Sequence, residues 1–304
     1  MREQFVRALT EITAGEPDVV LVNGDLGFGV LNDFIERYPD NYVNAGVAEQ
    51  NMTAVACGMA MAGARAYTYS IGNFPTLRCL EQLRNDVCYH RANVTVVAVG
   101  AGFSYGPLGM SHFATEDLAI LRALPEIAVV APSDPWQAYA LTHQLYLRGG
   151  PSYLRLDKGS AGLPEGPVDL GKVREVRSGS DAVIFATGSI LAEAVAAADA
   201  LQFENVAVRV VDVHTLKPFD CTAVCAAAAA CGIVLTLEEH SIIGGLGGAV
   251  AEACLEGGVA VRKFKRLGLP DVYPEIVGDQ QFLRAHFGLD WKSVVAELRD
   301  MLSR

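Results

Sequence analysis

One carboxylate in this sequence stands where it could take part in proton transfer. Glu49 belongs to the segment 46–52 (GVAEQNM), directly before an apolar stretch with helical periodicity. At the start of a helix, a carboxylate is stabilised by the positive end of the helix dipole. A glutamate that merely begins a helix is the more common occurrence, so this segment alone leaves both interpretations open.

A histidine ends the second segment that could contact a ligand, residues 102–112 (GFSYGPLGMSH). This segment follows the apolar run 94–99, and loops at the carboxyl ends of parallel strands commonly bind ligands. Its three glycines would let the backbone turn so that His112 faces a substrate. An isolated loop histidine is more often a surface residue, so this segment is also ambiguous by itself.

Glycines dominate the third segment, residues 238–248 (EEHSIIGGLGG). They permit a tight turn, and the helix start that follows could attract an anion. A dinucleotide site is not indicated, because no acidic residue follows a strand–helix–strand unit in the expected way.

The elements that would position these segments alternate between β-branched runs and helical patterns. Such alternation predicts strand–helix–strand units and mainly parallel sheets, hence an α/β fold. The predicted strands are 19–22, 66–70, 94–99, 128–131, 152–156, 181–186, 206–211, 233–238 and 259–265. The predicted helices are 51–62, 77–89, 115–122, 135–147, 191–201, 221–230 and 249–255.

A glycine- and proline-rich stretch without periodicity separates the two halves of this alternating series. It covers residues 159–179 and predicts a linker. The sequence therefore predicts one domain at 1–158 and a second, smaller domain at 180–304.

Composition excludes several classes of protein. The net charge of −11 argues against nonspecific nucleic-acid binding, which relies on clusters of lysine and arginine. The seven cysteines form no CxxC pair, so free, mostly buried thiols in a reducing cytoplasm are expected. The first residues, MREQFVRALTEI, predict an amphipathic helix instead of a signal peptide. No apolar run reaches the roughly 20 residues needed to cross a bilayer, so a soluble, cytoplasmic protein is expected.

Taken together and in order, these segments resemble the transketolase family, in the broad sense that includes deoxyxylulose-phosphate synthase and the β subunits of 2-oxo acid dehydrogenases. The resemblance covers nearly the whole chain and implies two doubly wound domains. Residues 1–158 would be the pyrimidine-binding domain and residues 180–304 the transketolase C-terminal domain. The matching segments are 46–52, 69–74 (YSIGNF), 80–85 (LEQLRN), 109–119 (GMSHFATEDLA), 212–220 (DVHTLKPFD), 238–248 and 266–271 (RLGLPD).

The resemblance implies thiamine diphosphate as cofactor and assigns residues to it. Glu49 would bond to the pyrimidine ring nitrogen and so activate the cofactor, and burial would favour the protonated carboxyl that this exchange requires. Phe74 is the preferred aromatic face for the pyrimidine, with Tyr69 as the alternative, and Gln50 would also adjoin the cofactor. His112 matches the family histidine that contacts an oxygen of the donor substrate.

One part of the family pattern is missing from this chain. The family holds the diphosphate and Mg²⁺ on another domain, marked by a GDG motif and a downstream asparagine. The nearest string here, 23–27 (NGDLG), lacks that motif. The resemblance therefore implies a partner, an N-terminal diphosphate-binding subunit that supplies the Mg²⁺ ligands, most simply in a heterotetramer with two copies of each chain. No metal ligand is predicted in this chain.

Substrate recognition departs from the family pattern. Arg2, Arg155 and Lys158 remain as possible contacts for an anionic substrate, beside His112. These departures predict a ketol transfer between sugars or sugar derivatives with an atypical acceptor. The family positions that contact substrate hydroxyls and phosphates fall on Leu108, Gly100, Gly29 and Lys158.

Two alternatives stay open on sequence grounds. The β subunit of a 2-oxo acid dehydrogenase shares the architecture and the glutamate, although the segments 109–112 (GMSH) and 116–125 (EDLAILRALP) favour the transketolase side. The other alternative is a non-catalytic paralogue that binds a partner. The presence of both Glu49 and His112 argues against it.

Overall fold

Twelve strands alternate with helices along residues 1–303, the part of the chain that the computed structural model describes. Several strands, such as β4, are apolar and buried throughout, as parallel strands covered on both faces must be. The strands are β1 (Val19–Asn23), β2 (Tyr42–Asn44), β3 (Arg65–Ile71), β4 (Val94–Val99), β5 (Ala128–Val130), β6 (Ser152–Leu156), β7 (Arg174–Arg177), β8 (Ala182–Thr187), β9 (Val208–Asp212), β10 (Thr215–Lys217), β11 (Ile233–Ser241) and β12 (Lys263–Leu269).

The helices flank the two sheets that these strands form. A π-helical turn at Leu83–Cys88 continues α4 without a break. The helices are α1 (Arg2–Gly15), α2 (Asn32–Arg37), α3 (Glu49–Met61), α4 (Leu80–Gln82), α5 (Asp117–Ala123), α6 (Pro135–Arg148), α7 (Leu191–Gln202), α8 (Cys221–Cys231), α9 (Leu246–Glu256), α10 (Gln280–His286) and α11 (Trp291–Ser303).

The first sheet has seven strands in the order β10-β5-β6-β4-β3-β1-β2, and the second has five in the order β12-β11-β8-β9-β7. All pairs are parallel except β10 with β5 and β7 with β9, each at the end of its sheet. The predicted α/β fold with two mainly parallel sheets is therefore confirmed. The amphipathic helix predicted at the N-terminus is also present, as α1, which packs against α6.

Two short strands cross the division that the sequence predicts. Strand β7 lies inside the predicted linker 159–179 and pairs with β9, so the second sheet begins before residue 180. Strand β10 comes from the second half of the chain but pairs with β5 of the first sheet. An edge strand is covered when another segment pairs with it, and β10 does this for β5. Strands of three or four residues are too short to show periodicity, which explains why both escaped prediction.

Candidate active site

Four parallel strands bring the candidate residues to one edge of the first sheet. Strand β1 pairs with β2 and β3, and β3 pairs with β4, so their carboxyl ends lie side by side. The chain after β2 leads into α3 at Glu49, the loop after β3 carries Phe74, and the loop after β4 carries His112. Because ligands commonly bind beyond the carboxyl ends of such strands, this edge is the candidate active site.

Glu49 is the first residue of α3 and is 2% exposed. The Ser70 hydroxyl, at the end of β3, donates to Oε1 of Glu49 across 3.3 Å. Arg78 donates from Nη1 to the other oxygen, Oε2, across 2.7 Å. The helix start and the Arg78 guanidinium both favour a negative charge here, so the structure adds a cation that the sequence prediction did not include.

Phe74 lies beside this ion pair and joins it to His112. The guanidinium carbon of Arg78 is 4.5 Å from the centroid of the Phe74 ring, and the His112 ring meets Phe74 edge-on at 5.2 Å between centroids. Glu49, Arg78, Phe74 and His112 therefore form one continuous series of contacts. Gln50 is exposed and donates to the Arg78 carbonyl across 3.1 Å.

The loops that carry Phe74 and His112 are held against each other by backbone contacts. Asn73 donates from its amide to the Ser111 carbonyl across 3.0 Å. At Gly72, where φ is +42°, a β carbon would lie 3.1 Å from the His112 carbonyl oxygen. A glycine is needed for this close approach, so Gly72 helps to fix the distance between the aromatic ring and the imidazole.

His112 is half-buried at the end of its loop. Its Nδ1 lies 2.9 Å from the Ser111 hydroxyl. The other ring nitrogen, Nε2, takes no part in this contact. Burial lowers the pKa of His112, and the positive charge of Lys158 lowers it further. The imidazole is therefore neutral near pH 7 and can donate or accept a hydrogen bond.

Cationic groups gather next to His112. The Lys158 ammonium lies 3.4 Å above the centroid of the Tyr105 ring, which itself is 6.1 Å from the His112 ring. Burial lowers the pKa of Lys158, and the positive charge of Arg2 lowers it further. Arg2 and Lys158 therefore give this side of the site a local positive potential in an otherwise acidic protein.

Tyr69 lies in the interior instead of the candidate site. It is 1% exposed, and its ring stacks on Phe5 of α1 with 17° between the ring planes and 6.1 Å between centroids. Burial raises the pKa of its phenol. This position favours Phe74 over Tyr69 as the aromatic face of the site.

Arg155 is also buried, away from the predicted substrate contact. Its Nε donates to Asp117 Oδ2 across 2.8 Å, and its Nη2 donates to the carbonyls of Ala114 and Glu239 across 2.7 and 3.1 Å. Asp117 also accepts from the Tyr153 hydroxyl across 2.6 Å. Arg155 thus ties the first sheet to β11 of the second, which favours a structural function for it.

Within the glycine-rich segment 238–248, the start of α9 bonds to a glutamate from the same segment. The backbone N–H groups of Leu246 and Gly247, at the beginning of α9, donate to the two carboxylate oxygens of Glu238 across 2.7 and 2.8 Å. Glu239 accepts from the Phe103 N–H across 2.5 Å and pairs with Arg284. The anion site considered for this helix start is therefore filled from within the chain, and the segment supports the loop after β4.

Arg78 is the residue of the site that the sequence did not predict. It lies four residues after Phe74, inside the stretch between two matching segments. The one available signal was a positive charge close in sequence to the predicted aromatic contact. Its pairing with Glu49, 29 residues earlier, depends on the fold.

Among residues 1–303, no group of three or more His, Cys, Asp or Glu side chains is arranged to hold a metal ion. Every helix of this described part is too short or too polar to cross a bilayer. The seven cysteines are free and five of them are buried, as the sequence predicted.

Comparison with known families assigns both halves of the chain. Residues 1–163 match the family described as "Transketolase, pyrimidine binding domain", and residues 171–294 match "Transketolase, C-terminal domain". The two family descriptions agree with each other, and together they cover most of the chain.

Three individual relatives match this chain over nearly their whole length. A putative transketolase C-terminal section of Methanocaldococcus jannaschii is 33% identical, over 100% of this chain and 96% of the relative. A 6-deoxy-6-sulfo-D-fructose transketolase subunit of a Clostridium species is 35% identical, over 100% of this chain and 95% of the relative. An apulose-4-phosphate transketolase subunit of Actinobacillus succinogenes is 34% identical, over 97% of this chain and 94% of the relative.

A solved structure shares the fold. It is described as "Split gene transketolase, inactive beta4 tetramer", has 34% sequence identity and a TM-score of 0.88, and is matched over 99% of this chain and 97% of its own.

Proposed function

This chain belongs to the transketolase family, as the C-terminal subunit of a split enzyme, and we propose that its Glu49 edge is half of an active site that a partner subunit completes. The reaction is the transfer of a two-carbon ketol unit between sugars or sugar derivatives. The observation that carries the proposal is the buried Glu49 carboxylate at a helix start, with Phe74 and His112 in one series of contacts beside it.

The residues present fit the pyrimidine end of thiamine diphosphate. An aminopyrimidine offers a ring nitrogen for a carboxyl group and a flat face for an aromatic ring, and Glu49 and Phe74 supply both. When bound, this cofactor supplies the nucleophilic carbon that takes up the ketol unit. Glu49 would hold the ring nitrogen and exchange a proton with it, and the exposed Gln50 would adjoin the ring. Mg²⁺ and the diphosphate would be held by the partner subunit.

His112 would act on the substrate. Its neutral imidazole, favoured by the lowered pKa, can bond to a carbonyl or hydroxyl oxygen of the donor and transfer a proton there. The contact between His112 and Phe74 supports this function, because the donor must react next to the proposed pyrimidine position.

The substrates would carry an anionic group that Arg2 and Lys158 recognise. At Gly100, where the family has a phosphate-contacting histidine, a β carbon would lie 2.3 Å from the Tyr105 ring. Tyr105, with Lys158 above it, thus fills the space next to Gly100. Two relatives are named for a sugar phosphate and a sugar sulfonate, which fits a terminal anion of this kind.

The partner would dock over the same edge of the first sheet. Phe28, Val47 and Leu108 lie on the loops after β1, β2 and β4 and are 84%, 77% and 55% exposed. Exposed apolar side chains grouped around a functional site mark a contact surface. We expect a heterotetramer with two copies of each chain, working in the cytoplasm where the free cysteines stay reduced.

Reconstitution with the diphosphate-binding subunit tests this function. The mixture should turn over ketose donors in the presence of thiamine diphosphate and Mg²⁺, and each subunit alone should not. Donors and acceptors with and without phosphate or sulfonate groups should be compared, with pyruvate as the control substrate for a 2-oxo acid dehydrogenase. Decarboxylation of pyruvate without ketol transfer would contradict the proposal.

A further inference from the structure

Arg78 fills the space between the two side chains that would grip the pyrimidine ring. Its Nη1 is 2.7 Å from Glu49 Oε2, and its guanidinium carbon is 4.5 Å from the centroid of Phe74. A guanidinium is planar, donates hydrogen bonds and stacks on aromatic faces. It therefore makes with Glu49 and Phe74 the same two kinds of contact that an aminopyrimidine would make.

The oxygen that Arg78 occupies is the one a ligand would reach. Ser70 is fully buried and faces Glu49 Oε1, so that oxygen points into the protein. The Arg78 side chain is 47% exposed and covers Oε2, whereas the Glu49 side chain is only 2% exposed. A ring nitrogen approaching from solvent would have to replace the guanidinium at Oε2.

The pairing also gives the buried Glu49 carboxylate a partner of opposite charge. A buried carboxylate is unfavourable without a partner, and Arg78 provides one in the free subunit. Once the guanidinium leaves, Oε2 of Glu49 is free to bond to a ring nitrogen and to exchange a proton with it. The half-exposed position of Arg78 lets its long side chain swing into solvent while Gln50 holds its backbone carbonyl.

We propose that Arg78 is a displaceable positioning residue that keeps Glu49 covered and paired in the free subunit and moves aside when the pyrimidine ring binds. The displacement step rests on the proposed function, whereas the pairing with Glu49 belongs to the chain alone. The opposing model is a static Arg78 that stays on Glu49 and supports the bound cofactor.

The pairing is tested in the free full-length chain by thermal unfolding of Arg78→Ala, Glu49→Gln and the double variant. Arg78→Ala should lower Tm when Glu49 is present and lower it much less when Glu49→Gln is already in place, because only a buried charge needs the cation. Arg84→Ala, an exposed arginine on the following turn, is the matched control and should act alike in both backgrounds. Equal losses for Arg78→Ala in both backgrounds would overturn the pairing.

The displacement is tested by titrating thiamine diphosphate, with Mg²⁺ present, into the reconstituted complex and measuring Kd. If Arg78 leaves on binding, Arg78→Ala destabilises only the free form, so Kd should fall at least about fivefold. Arg78→Lys should fall between wild type and alanine, because it keeps the charge but cannot stack as a plane.

The outcomes separate the two proposals. Saturable binding in wild type with an unchanged or higher Kd in Arg78→Ala would overturn the displacement and leave the proposed function intact. Absence of saturable binding in the wild-type complex would overturn the proposed function and the displacement together.

Discussion

Buried acidic residues at the edge of the first sheet and between the two sheets differ in how their charge is satisfied. At the first sheet, Glu49 is held by a serine and by a half-exposed arginine that solvent can reach. Between the sheets, Glu238 has both oxygens bonded by the start of its own helix, and His240 lies between Glu238 and Asp117, the partner of Arg155.

This difference fits the proposal that the Glu49 edge takes part in the chemistry and that the residues between the sheets support the fold. Both groups come from segments that resemble the same family, and both contain carboxylates next to a histidine or an arginine. The group between the sheets is almost entirely inaccessible and is satisfied within the chain, so it can only hold the two halves together. In our proposal, a ligand can replace one contact at the Glu49 edge, the one with Arg78. Substitutions between the sheets should therefore lower stability, and substitutions at the Glu49 edge should lower activity.

The largest expected effect is on stability, for Arg155→Met. The substitution preserves volume but leaves Asp117 buried without its cation, so the free energy of unfolding should fall by about 3–5 kcal/mol. Urea denaturation measures this loss. Arg299→Met, which breaks an exposed pair with Glu204, is the matched control and should change little. Similar small losses of stability for both variants would contradict a structural function for Arg155.

Glu238→Gln should cost about 1–3 kcal/mol, because the amide NH₂ would face one of the two N–H groups that now donate to the carboxylate. Turnover of the folded, reconstituted enzyme should persist. If turnover were lost while stability stayed unchanged, Glu238 would have a catalytic function instead of a structural one.

The same residue predicts a pH dependence. Burial raises the pKa of Glu238 from 4.5 to about 7. Because the folded state binds the extra proton, the stability this group contributes is present below pH 4.5 and is lost as the pH rises through about 7. Asp212, whose pKa burial raises to about 7, acts in the same direction. Denaturation from pH 4 to 8 should show a smaller decline in Glu238→Gln than in wild type, and an identical decline would contradict the assignment.

Lys158→Gln should raise KM for substrates with a phosphate or sulfonate group by about tenfold, because one charged hydrogen bond is lost. For uncharged analogues KM should stay nearly constant. Lys172→Gln, at an exposed lysine that lies next to Asp220 instead of Tyr105, serves as the control. Equal effects on charged and uncharged substrates would argue against an anion contact.

The smallest effect concerns His112. Removing the Lys158 charge takes away one cause of its lowered pKa, so in Lys158→Gln the acidic limb of the kcat/KM profile should move to higher pH. Profiles measured with an uncharged substrate separate this shift from anion binding. An acidic limb at unchanged pH would show that the Lys158 charge does not affect the pKa of His112.

Candidate site residues that stand in contiguous motifs could be predicted from the sequence, whereas contacts between distant residues could not. Glu49 and His112 stand in contiguous motifs, and the sheets follow from periodicity within each strand. Tyr69 and Phe74 could not be ranked, because the ring that covers Tyr69 comes from a helix that precedes β1. Arg155 looked available for a substrate because its partner lies 38 residues away. Arg78 has no local pattern, and only the fold brings it to Glu49.

The central claim is tested most directly by Glu49→Gln in the reconstituted enzyme, with the exposed Glu36→Gln as matched control. Loss of the carboxyl should lower kcat by about 10²–10⁴, the usual size of a proton-transfer contribution, while the two subunits still assemble. The Glu36→Gln enzyme should keep wild-type turnover. Near-normal turnover of an assembled Glu49→Gln enzyme would contradict the account.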